Sequence, residues 1–149
     1  GDCRGEQKAI DGIVLEDICE LSYMDEEFSL LVSNDVFEHV YDYEKAFLEA
    51  YRVLKPGGKL LFTVPFDGNS ATTARRVEKD GDGFIYTQSQ WYHDCAVAGQ
   101  APLLVYQVFG WDILDTLKKC GFSDAYAKVY YGLKEGYMGY LPLYFEAVK

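Results

Sequence analysis

"SLLVSNDVFEHVYDYEKAFLEAYRVLKPGGKLLFTVP", Ser29–Pro65, is the stretch whose reading decides the fold. It opens in an apolar run with strand character, "FSLLVS" when Phe28 is included, that is nearly continuous rather than alternating. Such a run predicts a strand buried on both faces, in a sheet covered by helices. From Asp42 to Leu54 the apolar residues Ala46, Phe47, Ala50, Val53 and Leu54 recur at helical spacing, opposite Glu44, Lys45, Glu49 and Arg52. Asp42 suits the N-cap, and Glu44 suits the positive end of the helix. Pro56-Gly57-Gly58 then stops the helix. "KLLFTVP" reads as a second buried strand closed by Pro65. Strand, helix, turn and strand make a β-α-β unit, for which parallel strands are expected. The fold class is therefore α/β.

Outward from this unit the signals are weaker. Residues 1–12, "GDCRGEQKAIDG", have no period and read as an irregular lead-in. "IVLE" (13–16) is a short β-branched run that ends at Asp17. Residues 67–102 dissolve into Gly, Ser, Thr, Asp and Gln with scattered aromatics. A segment that long implies a functional cover containing short elements that periodicity does not resolve. "GWDILDTLKKCGF" restores helical spacing through Ile113, Leu114 and Leu117, and Gly121 marks its stop. "AYAKVYY" and "YLPLYFEAV" form a plausible C-terminal antiparallel hairpin. The expectation is a single domain over 1–149 with a mostly parallel sheet, that hairpin at its end, and helices on its faces.

Composition narrows the function. A chain of 149 residues buries roughly 68–70 % of its unfolded surface and needs no staple. Fourteen Lys and Arg against 24 Asp and Glu give a formal charge of −10, which repels nucleic-acid backbones and anionic membranes. Aromatics reach 16 %, so many rings must line interfaces or pockets. The four cysteines, Cys3, Cys19, Cys95 and Cys120, make no C-x-x-C pair, which excludes a zinc site built from close pairs and makes reduced thiols in a cytoplasmic protein the default. Neither a leader-like start nor an apolar run near 18 residues is present, so a soluble protein is expected.

"LEDICELSYMDEEFSLLVSNDVFEHV", "AFLEAYRVLKPGGKLLFTVPF" and "GWDILDTLKKCGF", taken in order, resemble the class I S-adenosylmethionine-dependent methyltransferases from their third strand onward. R-V-L-K-P-G-G before a strand, with D-V-x-E-H-V after one, is an uncommon combination. Tyr92-His93-Asp94 stands where one small-domain subgroup carries a "YHGDP"-like segment, here without the glycine and with Cys95 for proline. The resemblance implies a truncated Rossmann-like sheet, S-adenosylmethionine as cofactor and a small molecule as methyl acceptor. It also implies that Asp17 meets the adenine amino group, that Ile18 packs near the base, and that Ser33, Asn34 and Asp35 face the methionine portion or the acceptor. The family's first strand, its glycine-rich turn, and the acidic residue that holds the ribose hydroxyls have no counterpart in these residues. That gap implies a fragment of a longer protein, a remnant that has lost the site, or a half-site completed by another chain.

Each candidate also has a plainer reading. Asp17 can simply cap the turn after its strand, and acidic groups after Ser33 are favoured by the dipole of a helix start. His39 and His93 suit general acid–base work, for which imidazole is the usual side chain, with Tyr92 next to His93 in the cover segment. Against this stand a structural histidine and an aromatic loop packed on the sheet. No metal site is expected, because the adjacent residues His93, Asp94 and Cys95 would be cramped around one ion. A nucleophile pair of Ser33 with His39 is set aside, because no oxyanion-hole motif lies nearby and the strand lacks the G-x-S-x-G elbow of hydrolases. Two functions follow: a methyltransferase, or a non-catalytic derivative that keeps the sheet for binding or assembly. Because the missing strands would leave one strand edge open, either "IVLE" pairs with "SLLVS" or a homodimer covers that edge.

Overall fold

The computed structural model describes residues 9, 10, 13–81, 83–93, 101–136 and 142–149. Its centre is a four-stranded sheet with the order β11-β12-β4-β3, formed by β3 (Phe28–Asn34), β4 (Leu54–Thr63), β11 (Asp124–Val129) and β12 (Leu143–Val148). Helix α1 (Tyr43–Val53) joins β3 to β4, and α2 (Asp112–Lys119) precedes β11. Two short strands pair outside the sheet at the start, β1 (Ala9–Ile10) with β2 (Ile13–Val14). The segment after β4 holds β5 (Ala74–Arg75), β6 (Val77–Asp80), β7 (Gly83–Tyr86) and β8 (Tyr92–His93), followed by β9 (Leu103–Leu104) and β10 (Gln107–Val108).

The β-α-β unit stands as its sequence implies. β3 and β4 run parallel, with Leu31 opposite Leu60 and Asn34 opposite Thr63. Asp42 caps α1, its carboxylate accepting from the Lys45 N–H. Along α1, Tyr43, Ala46, Phe47, Ala50 and Val53 are buried, the spacing of one helical face. The first four of these meet Phe37, Leu60, Phe62, Phe109 and Phe145 in one core. Phe62 stacks on Phe145 at 5.3 Å between ring centroids, and Phe37 lies edge-on to Phe62 at 5.2 Å.

Four expectations change. The sheet is mixed rather than mostly parallel: β3–β4 is the parallel pair, while β4–β12 and β12–β11 are antiparallel, because the last strand returns beside β4 as the arm of a hairpin. Pro56-Gly57-Gly58 does not separate helix from strand. β4 begins at Leu54, opposite Phe28, and its register resumes at Lys59 opposite Leu30, so the three residues are looped out of the ladder between. Gly57 has φ +75°, and a Cβ on Gly58 would lie 2.8 Å from the Lys55 carbonyl oxygen. Lys149 pins this loop by two backbone bonds, from Gly57 N–H to its carbonyl and from its own N–H to Gly58. "IVLE" does not pair with "SLLVS": Ile13–Val14 pairs with Ala9–Ile10, within what reads as irregular lead-in. Finally, β3 is not buried on both faces, since Leu30 is 51 % and Val32 65 % exposed. Among the described residues no strand pairs with its outer edge.

Candidate functional site

The parallel pair places two strand ends side by side. Beyond Asn34 and Thr63 the chain turns, and Asp35 fastens the turn: its N–H donates to the Thr63 carbonyl and its carboxylate accepts from the Thr63 hydroxyl, both at 3.1 Å. Asp35 holds φ +50°, a left-handed conformation that aspartate tolerates better than most residues. In an open α/β sheet, ligands lie beyond such carboxyl ends. A cavity of about 790 Å³ runs along the open side of β3 to this edge, lined by Leu15, Glu16, Ile18, Ser33, Asn34 and Val36 among others. The Ser33 hydroxyl is buried, and it has no hydrogen-bond partner among the described residues.

Of the residues assigned to the cofactor, Ile18, Ser33 and Asn34 share this cavity. Asp35 stands at the same strand end, on Thr63. Asp17 accepts from the Cys19 N–H at 2.9 Å, so it caps its own turn, as the plainer reading has it.

A second cluster forms behind the strand end. Val36 leads into a single 3-10 turn, Phe37–His39, instead of a long helix. That turn is held from the other side by the chain around β10. Gln107 is fully buried and donates through Nε2 to the Phe37 and Val40 carbonyls, and the Tyr106 N–H donates to the Glu38 carbonyl. The tight turn brings Glu38 and His39 to one place, and β8 delivers His93 to it. His93 Nδ1 is 3.2 Å from His39 Nε2, and Glu38 Oε1 lies 3.6 Å from His39 Nε2 and 3.3 Å from His93 Nδ1. His39 Nδ1 is 2.8 Å from the Leu104 carbonyl oxygen. A carbonyl can only accept, so the ring proton sits on Nδ1 and the Nε2 lone pair points into the cluster. The Glu38 side chain is completely buried, and neither carboxylate oxygen has a hydrogen-bond partner among the described residues, the nearest imidazole nitrogens lying 3.3 and 3.6 Å from Oε1. Burial raises its pKa to about 7, with the Asp35 charge adding in the same direction. Trp91 packs edge-on to His93, with 5.1 Å between ring centroids.

His39 and His93 are thus brought together across 54 residues of chain, whereas Tyr92 is not gathered with them. Neighbours in a strand point to opposite faces, and the Tyr92 hydroxyl donates instead to Gln90 Oε1 at 3.1 Å. Asp94 and Cys95 lie outside the described residues. Glu38, which the sequence presents only as an acidic residue favoured by a helix start, is the member of this cluster absent from the sequence-derived candidates. Its adjacency to His39 was visible, but its burial depends on Gln107 and β8, far along the chain.

Residues 3–62 match the family model described as a methyltransferase domain. Among curated proteins, the chain is 43 % identical over 49 residues to an arsenite methyltransferase of Aquipseudomonas alcaligenes, and 38 % identical over 50 residues to phosphoethanolamine N-methyltransferase 2 of Caenorhabditis elegans. These stretches are 33 % and 34 % of this chain, and only 14 % and 11 % of the relatives' own lengths. Among solved structures, an S-adenosylmethionine-dependent methyltransferase from Mesorhizobium loti superposes with a TM-score of 0.51 at 14 % identity, covering 89 % of this chain and 67 % of its own. That likeness supports the fold.

Proposed function

We propose that this chain is a class I S-adenosylmethionine-dependent methyltransferase domain that binds S-adenosylmethionine beyond the ends of β3 and β4 and methylates a small acceptor there, a reading supported by the methyltransferase-domain match over residues 3–62. The observation that carries this reading is that Ser33 and Asn34 line a largely apolar cavity at the sheet edge where, among the described residues, the two parallel strands end together. Ser33 and Asn34 would hold the methionine portion, Ile18 would pack on the adenine, and the second carboxylate oxygen of Asp17 would meet its amino group. The bound cofactor supplies an electrophilic methyl group on a positively charged sulfur. The chain's own work is then to hold the acceptor in line and to exclude water. Where the acceptor carries a proton, the imidazole pair His39 and His93 is placed to take it. Tyr92 would act from the rim, contributing its ring to an acceptor rather than a proton. The reduced thiols Cys19 and Cys120 fit a cytoplasmic setting, and no helix of the described residues is long and apolar enough to cross a membrane.

A second reading, a non-catalytic binding or assembly module, is favoured by the unpaired outer edge of β3. On that reading a second copy of the chain covers the edge as a homodimer. Calorimetric titration with S-adenosylmethionine and S-adenosylhomocysteine separates the two. The enzyme reading expects saturable binding and, at 100 times Kd, about 2.7 kcal/mol of added stability. Asn34→Leu should weaken that binding. No heat and no stabilisation at millimolar ligand would reject the enzyme reading for this chain.

A further inference from the structure

The Glu38–His39–His93 cluster has a geometry that neither methyl transfer nor a structural histidine requires. We infer that it is a binding site for a divalent first-row transition-metal ion, with Glu38 Oε1, His39 Nε2 and His93 Nδ1 as its three protein ligands. The three donor atoms stand 3.2, 3.3 and 3.6 Å apart. An ion bound at about 2.1 Å to each of three ligands requires ligand–ligand separations of roughly 3.0–3.4 Å, whether tetrahedral or octahedral. The triangle is already near that size, without rearrangement of the backbone. One ligand atom from each of the three residues thus lies within 4.8 Å of the other two.

Three further observations turn this triangle into a built site. His39 Nδ1 is held by the Leu104 carbonyl, the outer contact that fixes a ligating imidazole with its other nitrogen free toward the ion. Glu38 is fully buried with neither carboxylate oxygen hydrogen-bonded among the described residues, and burying a carboxylate so is costly unless a cation faces it. The turn that carries Glu38 and His39 is clamped by Gln107 and Tyr106, so two of the three ligands are held before any ion arrives. Two imidazoles and one carboxylate suit zinc, iron, cobalt or nickel, whereas magnesium and calcium prefer an all-oxygen set. Three protein ligands leave at least one coordination position for water or for an oxygen of a bound molecule. The inference is independent of the methyl-transfer reading and stands whether or not the chain binds S-adenosylmethionine.

The chain has only two histidines, so both must take part. The test is Co²⁺ titration of the untagged, chelator-treated chain, followed by visible ligand-field absorption and by competition with Zn²⁺. One equivalent should give a saturating band that Zn²⁺ removes and excess Mg²⁺ does not. His93→Ala should weaken binding by at least about 100-fold. That side chain is 28 % exposed, so its loss should leave the fold intact by circular dichroism. His39→Ala and the isosteric Glu38→Gln should weaken binding comparably, whereas Cys95→Ser should not. A missing band, a band unchanged by His93→Ala and Glu38→Gln, or one abolished by Cys95→Ser alone would overturn the site.

Discussion

β3 and β4 are adjacent, parallel and written in nearly the same apolar alphabet, yet they live in different surroundings. β4 is flanked by β3 and β12, and its Leu54, Leu60 and Phe62 are essentially inaccessible under α1 and the aromatic core. β3 has a partner on one side, and Leu30 and Val32 face outward on it. A continuous apolar run therefore reports the covering a strand is suited to, while the covering actually present depends on which other elements reach it.

This contrast can be broken most severely at the core. Phe47→Ala, under β4, should cost about 3–5 kcal/mol, whereas Val32→Ala should stay within about 0.5 kcal/mol. Urea denaturation of both variants checks this, and equal losses would mean that β3 is as well covered as β4. Gly58→Ala comes next. Its Cβ would meet the Lys55 carbonyl oxygen at 2.8 Å and the Phe28 carbonyl oxygen at 3.2 Å, so about 1–3 kcal/mol should be lost through the looped-out start of β4. The open edge is probed by Val32→Lys, which leaves monomer stability almost unchanged and dissociates any dimer that forms through β3. Sedimentation velocity reads that outcome; a dimer that survives the substitution uses another surface.

The smallest effect is a pH dependence on the well-covered side of the sheet. Hydrogen bonds from Lys128 and then Lys59 hold the Glu146 carboxyl below its ordinary value of 4.5, more than its partial burial raises it. A depressed folded-state pKa contributes stability that is present above that ordinary value and is lost as the pH falls through the lower, folded value. Glu146→Gln should therefore flatten the acid limb of the stability profile below pH 4.5 and leave the neutral region with a smaller change. A profile unaltered by the substitution would mean that the two lysines do not hold that carboxylate.

Much of the fold was legible because local signals agreed with their surroundings. The α1 face, the Asp42 cap, α2 and the terminal hairpin all follow from spacing and caps that no distant residue overrides. The segment after Asp67 was opaque for the opposite reason. Its strands are two to four residues long, too short for a period, and β5 finds its partner β10 more than thirty residues on. The site divides the same way. Ser33 and Asn34 could be placed at a strand end from sequence, since a parallel pair fixes where its ends lie. The Glu38–His39–His93 cluster could not, because it requires β8 and the Gln107 clamp to meet a single 3-10 turn. Within that turn the adjacent residues Glu38 and His39 place Oε1 and Nε2 3.6 Å apart.

The central claim is that the polar ends of β3 and β4 form the cofactor edge, and amide hydrogen exchange with and without S-adenosylhomocysteine tests it most directly. The account predicts slowed exchange at Ser33–Val36 and around Ile18, with the amides of α2 unchanged. Unchanged exchange at the β3 end under saturating ligand, or protection confined to other elements, would contradict it.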